Sequence, residues 1–218
     1  MTNTRLKQRV ATRERILSTA RYLFREASFE QVGVREIATE AGVATGTVIA
    51  AFGSKGDLLN AIVIEDLELQ LPLMETSVVP FEATFERLQA LCLACLKYQS
   101  KQLPIFRATM ADAWTRTLSA ENRICAAVEP IISFIISELD RGISRGDIRR
   151  STNTRLAAQL IFEVVVNSFR IALYSDRPVS DLSAALAARL AMLLGAFSKP
   201  SDADTAPQIY LQRNTATA

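Results

Sequence analysis

The chain has 218 residues, of which 49% are hydrophobic and 22% charged, with a net charge of +2 and no histidine. That composition provides a buried core for one large or two small domains. The absence of histidine excludes a Ser-His-Asp triad, a Cys-His pair and any His-ligated metal. No apolar run reaches the roughly 18 residues of a transmembrane helix, and the N-terminus MTNTRLKQRVATRERI has no apolar signal segment, which predicts a cytoplasmic protein.

The charge is unevenly placed. Residues 1–57 carry nine Lys/Arg against six Asp/Glu. Within residues 1–25, Arg5, Lys7, Arg9, Arg13, Arg15, Arg21 and Arg25 face only Glu14. A basic arm running into a helix is the electrostatic footprint of nucleic-acid binding; a solvated tail has the same composition.

Helical spacing pervades the sequence and no segment alternates with period two, so the fold is expected to be all-α. A first helix is predicted over 8–27, with Ile16, Ala20, Leu23, Phe24 and Ala27 on its inner face. Residues 34–41 and 45–51 read as two short helices broken at Ala41-Gly42-Val43. Helix, short glycine turn and second short helix is a geometry that fits the DNA major groove. Ser54 and Asp57 form an N-cap pair for a fourth helix, predicted to end near Pro72. Further helices are expected at 81–101, 104–118, 121–145, from Asn153 or Thr154 to 174, and 180–197, before a polar tail at 200–218.

Several residues carry a second signature. Ile16-Leu17, Ala20, Leu23-Phe24, Val34-Arg35-Glu36-Ile37-Ala38, Ala41-Gly42-Val43, Gly46-Thr47, Phe52, Ser54-Lys55 and Leu58-Leu59 stand in an order and spacing that resemble the TetR family of bacterial transcriptional regulators. The resemblance spans Thr12 to Leu59 without insertion. It implies a helix-turn-helix DNA-binding domain over 1–54, including the basic arm, and a larger helical ligand-binding and dimerisation domain over 55–199. It also implies a homodimer on operator DNA, released by a small molecule.

The candidate DNA-binding residues are Arg5, Arg9, Arg13, Arg35, Thr45, Gly46, Thr47, Ile49 and Lys55. Thr45, Gly46 and Thr47 open the third helix, whose free N–H groups favour a phosphate and whose first side chains approach base edges. Gly46 allows close approach, and Thr47 can meet a phosphate or a thymine methyl; both threonines can instead serve as caps. Lys55 matches the family's phosphate-contacting lysine, although a solvated lysine also fits. The arm can follow the phosphates or enter a minor groove.

Two positions depart from the family pattern. Ile49 stands where a tyrosine is usual, and Ala51 where a histidine or tyrosine is usual. Neither can hydrogen-bond a phosphate. At about 0.5–1.5 kcal/mol per lost contact, affinity falls by one to several orders of magnitude unless the arginine-rich arm compensates. Gly33, in place of a capping Ser or Thr, costs only a few tenths of a kcal/mol.

In the second half, Phe81, Phe85, Phe106, Met110, Trp114, Phe134, Phe162 and Phe169 are candidates to line an apolar cavity. Glu163 or Asn167 would anchor a hydrophobic or aromatic effector there; ordinary core residues have the same pattern. The leucine stripe Leu182, Leu186, Leu190, Leu193, Phe197, with small alanines beside it, suits close helix packing. Paired with the helix at 153–174 it predicts a four-helix dimer contact, alongside intramolecular core. Cys92 and Cys95, among leucines and alanines, are expected to be buried and inert.

Neither a cofactor nor a metal site is indicated. Three functions stand open: a ligand-released repressor, a TetR-like dimer with weakened DNA binding that acts through ligand or protein contacts, and a carboxylate enzyme using Glu163. Only the first two have support in the sequence.

Overall fold

A computed structural model describes residues 2–172 and 179–198. These form α1 (Thr2–Glu26), α2 (Val34–Glu40), α3 (Thr45–Phe52), α4 (Lys55–Val78), α5 (Thr84–Gln99), a 3-10 turn (Ser100–Gln102), α6 (Leu103–Asp112), α7 (Leu118–Arg145), α8 (Thr154–Ala172) and α9 (Val179–Gly195). No strand occurs among the described residues; one isolated bridge joins Ile148 and Ser198. The all-α expectation is met. No single described helix is long and apolar enough to cross a membrane. The tail at 200–218 and the last residues of the helix expected to reach 174 lie outside the described residues.

Two apolar cores organise the described residues. The first buries Ile16, Ala20 and Phe24 of α1 against Ile37 and Ala38 of α2, Val48 of α3 and Leu58, Leu59 and Ile62 of α4. We call this assembly the head. The second, the body, joins Leu67, Met74 and Val78 of α4 to α5, α7, α8 and α9 around Leu88, Ile135, Ile161 and Leu186. Two short-range features connect them. Helix α4 contributes to both cores, and α6 sends Ile105 and Ala108 into the head while Phe106 enters the body.

Three expectations are corrected. Helix α4 does not stop near Pro72 but runs through it to Val78. An interior proline costs about 3 kcal/mol. The two turns beyond it bury Met74 and Val78, worth roughly 1.5–3 kcal/mol each, so burial outweighs the broken bond. The Thr76 hydroxyl also donates to the Pro72 carbonyl at 2.8 Å. Second, the α6–α7 break falls earlier than the periodicity suggests, because Thr117 caps α7 by accepting the Ala120 N–H. Third, the basic arm is not a separate strand of chain: α1 begins at Thr2, and the arginines are displayed on its first turns. Of the two candidate starts for α8, Asn153 is the cap, its Oδ1 accepting from the Leu156 N–H at 3.1 Å.

Candidate nucleic-acid interface

The head presents α3 because the turn before it is tight. Gly42 adopts φ +63°, a left-handed conformation that costs glycine little, and closes α2 so that α3 can fold back. Gly33 caps α2 with no side chain of its own; Glu36 reaches back to accept its N–H at 3.3 Å. Val48 anchors α3 in the core.

That anchoring leaves one face outward. Thr45, Gly46, Thr47, Ile49 and Ala50 are all exposed, Ile49 to 45%. At 100° per residue, Gly46 and Ala50 stand opposite Val48, with Thr47 and Ile49 on the two flanks. A Cβ added at Gly46 would meet nothing within 4 Å, so nothing inside the protein requires glycine there. The N-cap residue Ala44 supplies no side-chain bond to the first turn, which leaves N–H groups open to an anion.

The basic candidates divide. Arg35 is exposed on α2, and Arg5 and Arg9 are exposed on α1. The face of α1 that buries Ile16 and Ala20 continues toward the N-terminus as Arg13, Arg9 and Arg5 at three- and four-residue steps. Of this stripe, Arg9 and Arg13 lie beside α3, sharing a cleft with Thr47, Ala50 and Ala51. Arg13 is fixed there: Nη1 donates to the Ala51 carbonyl at 2.9 Å, and the guanidinium lies 4.1 Å from the centre of the Phe52 ring. Lys55 turns inward. Its Nζ donates to the carbonyls of Phe29 (2.8 Å) and Val32 (3.1 Å) and sits over the Phe29 ring, so two of its three protons close the α1–α2 loop.

The effector candidates divide too. Phe85, Phe106, Met110, Phe134 and Phe162 gather in or against the body core, where Phe106 packs 5.3 Å from Phe169. Phe81 lies at the edge, more exposed. The other three face away from the interior. Trp114 is 92% exposed on the α6–α7 turn. Glu163 and Asn167 lie on the outer face of α8, and the Asn167 Oδ1 accepts from Arg170. Periodicity could not reveal this, because Trp114 falls just past the last turn of α6. The inner face of α8 is taken by Ala158, Ile161 and Val165.

In α9 the leucines Leu182, Leu186 and Leu190 belong to the body core. The outward row is Ala184, Ala188, Ala191 and Met192, with Leu156 exposed on α8. Cys92 and Cys95 are buried and Cys125 is exposed. Burial pushes the Cys92 thiol well up and the Cys95 thiol up to about 12, so neither is a thiolate at neutral pH.

A buried polar hub escaped the sequence reading altogether. Arg21 of α1 donates through Nη1 to Asp66 of α4 and through Nη2 to Glu65 at 3.0 Å. The Tyr98 hydroxyl of α5 donates to the same Asp66 oxygen at 2.9 Å. Gln70 donates to the Asp66 carbonyl, and the Cys95 thiol to Gln70. Burial, then the adjacent Asp66 charge and the bond to it, push the Tyr98 hydroxyl up to about 12. Two further ties join head and body: Arg25 Nε to Gln102 Oε1 at 2.8 Å, and Arg123 of α7 to Asp57 of α4 at 2.7 Å.

Residues 16–62, the span of the head that holds α2 and α3, match the model of the family described as bacterial regulatory proteins, tetR family. Over residues 16–62 the chain thus carries the N-terminal domain of that family. It is 24% identical over 160 residues to the fatty acid metabolism regulator protein of Bacillus subtilis (strain 168), covering 73% of this chain and 82% of that one. Two solved structures share the TetR-family fold at a TM-score of 0.69. One is a TetR-family transcriptional regulator of Mesorhizobium loti MAFF303099, at 19% identity, covering 88% of this chain and 98% of that one. The other is the transcriptional regulator FadR of Bacillus subtilis in complex with stearoyl-CoA, at 22% identity, covering 81% and 96%. The chain is thus similar, in its matched domain and in its fold, to bacterial transcriptional regulators of this kind.

Proposed function

We propose that this chain is a TetR-family repressor that binds a palindromic operator as a homodimer and is released by a long-chain acyl-CoA. The observation that carries the reading is the outward face of α3. Small side chains at Gly46 and Ala50 stand between Thr47 and Ile49 on a helix held rigidly by Val48. Such a face can approach base edges closely, with Thr47 and Ile49 suited to thymine methyls. Arg35 and the α1 stripe provide the surrounding positive field.

The acyl-CoA class is drawn from the FadR complex and supported by the apolar body, where Phe85, Phe106, Met110, Phe134 and Phe162 converge. An acyl chain entering among them would shift α6. Because Ile105 and Ala108 of α6 lie in the head core, that shift reaches α1 and α4. The effector then acts by its differential affinity for the two head positions. Dimerisation is assigned to the outer faces of α8 and α9, where the alanine row permits close helix approach. The two recognition helices would then sit about 34–36 Å apart, or a multiple of it.

The test is binding to duplex DNA from upstream of the gene across a salt series, with and without stearoyl-CoA. A steep negative slope of log K against log salt, and release on adding stearoyl-CoA, are expected. A near-flat slope would favour instead a TetR-like dimer that acts without DNA. Unchanged affinity in stearoyl-CoA would discard the effector class alone.

A further inference from the structure

A notch of about 360 Å³ opens between α1 and α3. Gln8, Arg9, Thr12 and Arg13 line it from α1 and Thr47 from α3, with Ala50 and Ala51 completing it. Its chemistry is one-sided. Two guanidiniums, an amide and two hydroxyls can all donate hydrogen bonds, and among the described residues no carboxylate lines the notch. Three other cavities contain acids: Glu14 and Glu65 in one, Asp147 in a second, and Asp57, Glu65 and Glu68 in a third.

The notch is also preorganised. Arg13 is immobilised by the Ala51 carbonyl at 2.9 Å and by the Phe52 ring, so holding its charge in place costs no further side-chain entropy. One guanidinium N–H serves Ala51 and the rest remain to donate elsewhere. Ala50 and Ala51, with their small side chains, form part of the notch's wall. It adjoins Thr47 and Ala50, which belong to the outward face of α3.

We propose that this notch seats one phosphate of the DNA backbone beside the recognition helix. Arg9, Gln8, Thr12 and Thr47 donate to the phosphate oxygens, and Arg13 serves as a fixed positive charge. The inference rests on the DNA-binding reading above and deepens it. The phosphate anchor that Ile49 and Ala51 cannot supply is carried by α1, and Ala51 contributes its carbonyl and the space its small side chain leaves.

The experiment measures binding of the full-length chain to its upstream DNA over a salt series, comparing wild type with Arg9→Gln, Thr12→Val and Lys7→Gln. Lys7 lies on the side of α1 turned away from α3, so Lys7→Gln removes the same charge outside the notch. Arg9→Gln should weaken binding about tenfold or more and flatten the salt slope by about 2 per dimer, from roughly 0.9 per phosphate contact. Thr12→Val should weaken binding several-fold at unchanged slope. Lys7→Gln should have the smaller effect on both.

If wild type binds with a steep slope but Arg9→Gln and Lys7→Gln behave alike and Thr12→Val has no effect, the notch assignment is overturned and the repressor reading stands. A flat wild-type slope overturns both. Calorimetry with inorganic phosphate and no DNA separates a backbone phosphate from a free one. Saturable binding well below about 1 mM, lost in Arg9→Gln, would reassign the notch to a free phosphorylated ligand.

Discussion

Arg21 and Asp66 join the first helix of the head to the helix that runs through both cores, and the ion pair between them is largely shielded from water, with side-chain exposures of 16% and 4%. Tyr98 approaches the same carboxylate from the body. Breaking such a pair from one side strands the other charge. Asp66→Asn should therefore cost about 2–4 kcal/mol, somewhat less than for a fully buried pair because Glu65 still faces Arg21. Tyr98→Phe should cost only about 1 kcal/mol, the worth of one hydrogen bond. Urea denaturation of both variants checks the order; a larger loss for Tyr98→Phe would show that Asp66 is not the hub.

Tyr98 also makes an alkaline signature. Its hydroxyl is raised from 10.0 to about 12 in the folded chain. The folded state keeps the proton that the unfolded state releases, so the stabilisation is complete below pH 10.0 and is lost as pH rises to about 12. Stability measured between pH 9 and pH 12 should fall across that window and fall less in Tyr98→Phe. On the acid side, burial raises the Asp147 carboxyl, but the Thr84 hydroxyl and N–H and the Arg145 guanidinium outweigh it and leave it below its usual 3.8. Its contribution is present above 3.8 and disappears on further acidification. Asp147→Asn should remove that part of the acid-induced loss.

Gly46→Ala separates folding from DNA reading. The added methyl meets no protein atom within 4 Å, and alanine is the better helix former, so the fold should gain roughly 0.5–1 kcal/mol. If Gly46 lies against DNA, operator affinity should drop at least tenfold at the same time. Thermal unfolding and a binding titration on one preparation read both signs. Unchanged affinity would remove Gly46 from the interface.

The same substitution at Gly142 should have the opposite effect on the fold. A Cβ there would lie 2.7–2.8 Å from Thr84 Oγ1, Thr84 Cγ2 and Ile148 Cγ1. The start of α5 and the chain after α7 are packed onto that bare backbone, so Gly142→Ala should destabilise by about 1–3 kcal/mol. Denaturant midpoints for Gly46→Ala and Gly142→Ala should move in opposite directions.

The helix-turn-helix was readable in the sequence because its determinants are local. Ile37, Val48 and Gly42 declare their roles through spacing and turn chemistry, and the structure uses each as the pattern suggests. Pro72 was misleading because its local cost is outweighed by Met74 and Val78, whose burial depends on helices distant in the chain. Trp114, Glu163 and Asn167 look like cavity residues by composition alone, and only the rotation of α8 and the end of α6 show them facing out. Gln8, Thr12 and Ala50 carry no motif. They became visible only once α1 and α3 lay side by side, as did Arg21, Asp66 and Tyr98, whose partners are 32 and 45 residues apart.

The uninterrupted course of α4 sets the scale of motion that release from DNA would need. Its 24 residues make a rod of roughly 36 Å at about 1.5 Å per residue. A tilt of about 5° imposed at the body end would carry the other end some 3 Å, close to the ~3.4 Å spacing of stacked base pairs. On the repressor reading, a rearrangement of the body no larger than a shifted side chain is thus enough to move the head by about one base-pair step. A hinge at Pro72 would have absorbed that angle before it reached α3.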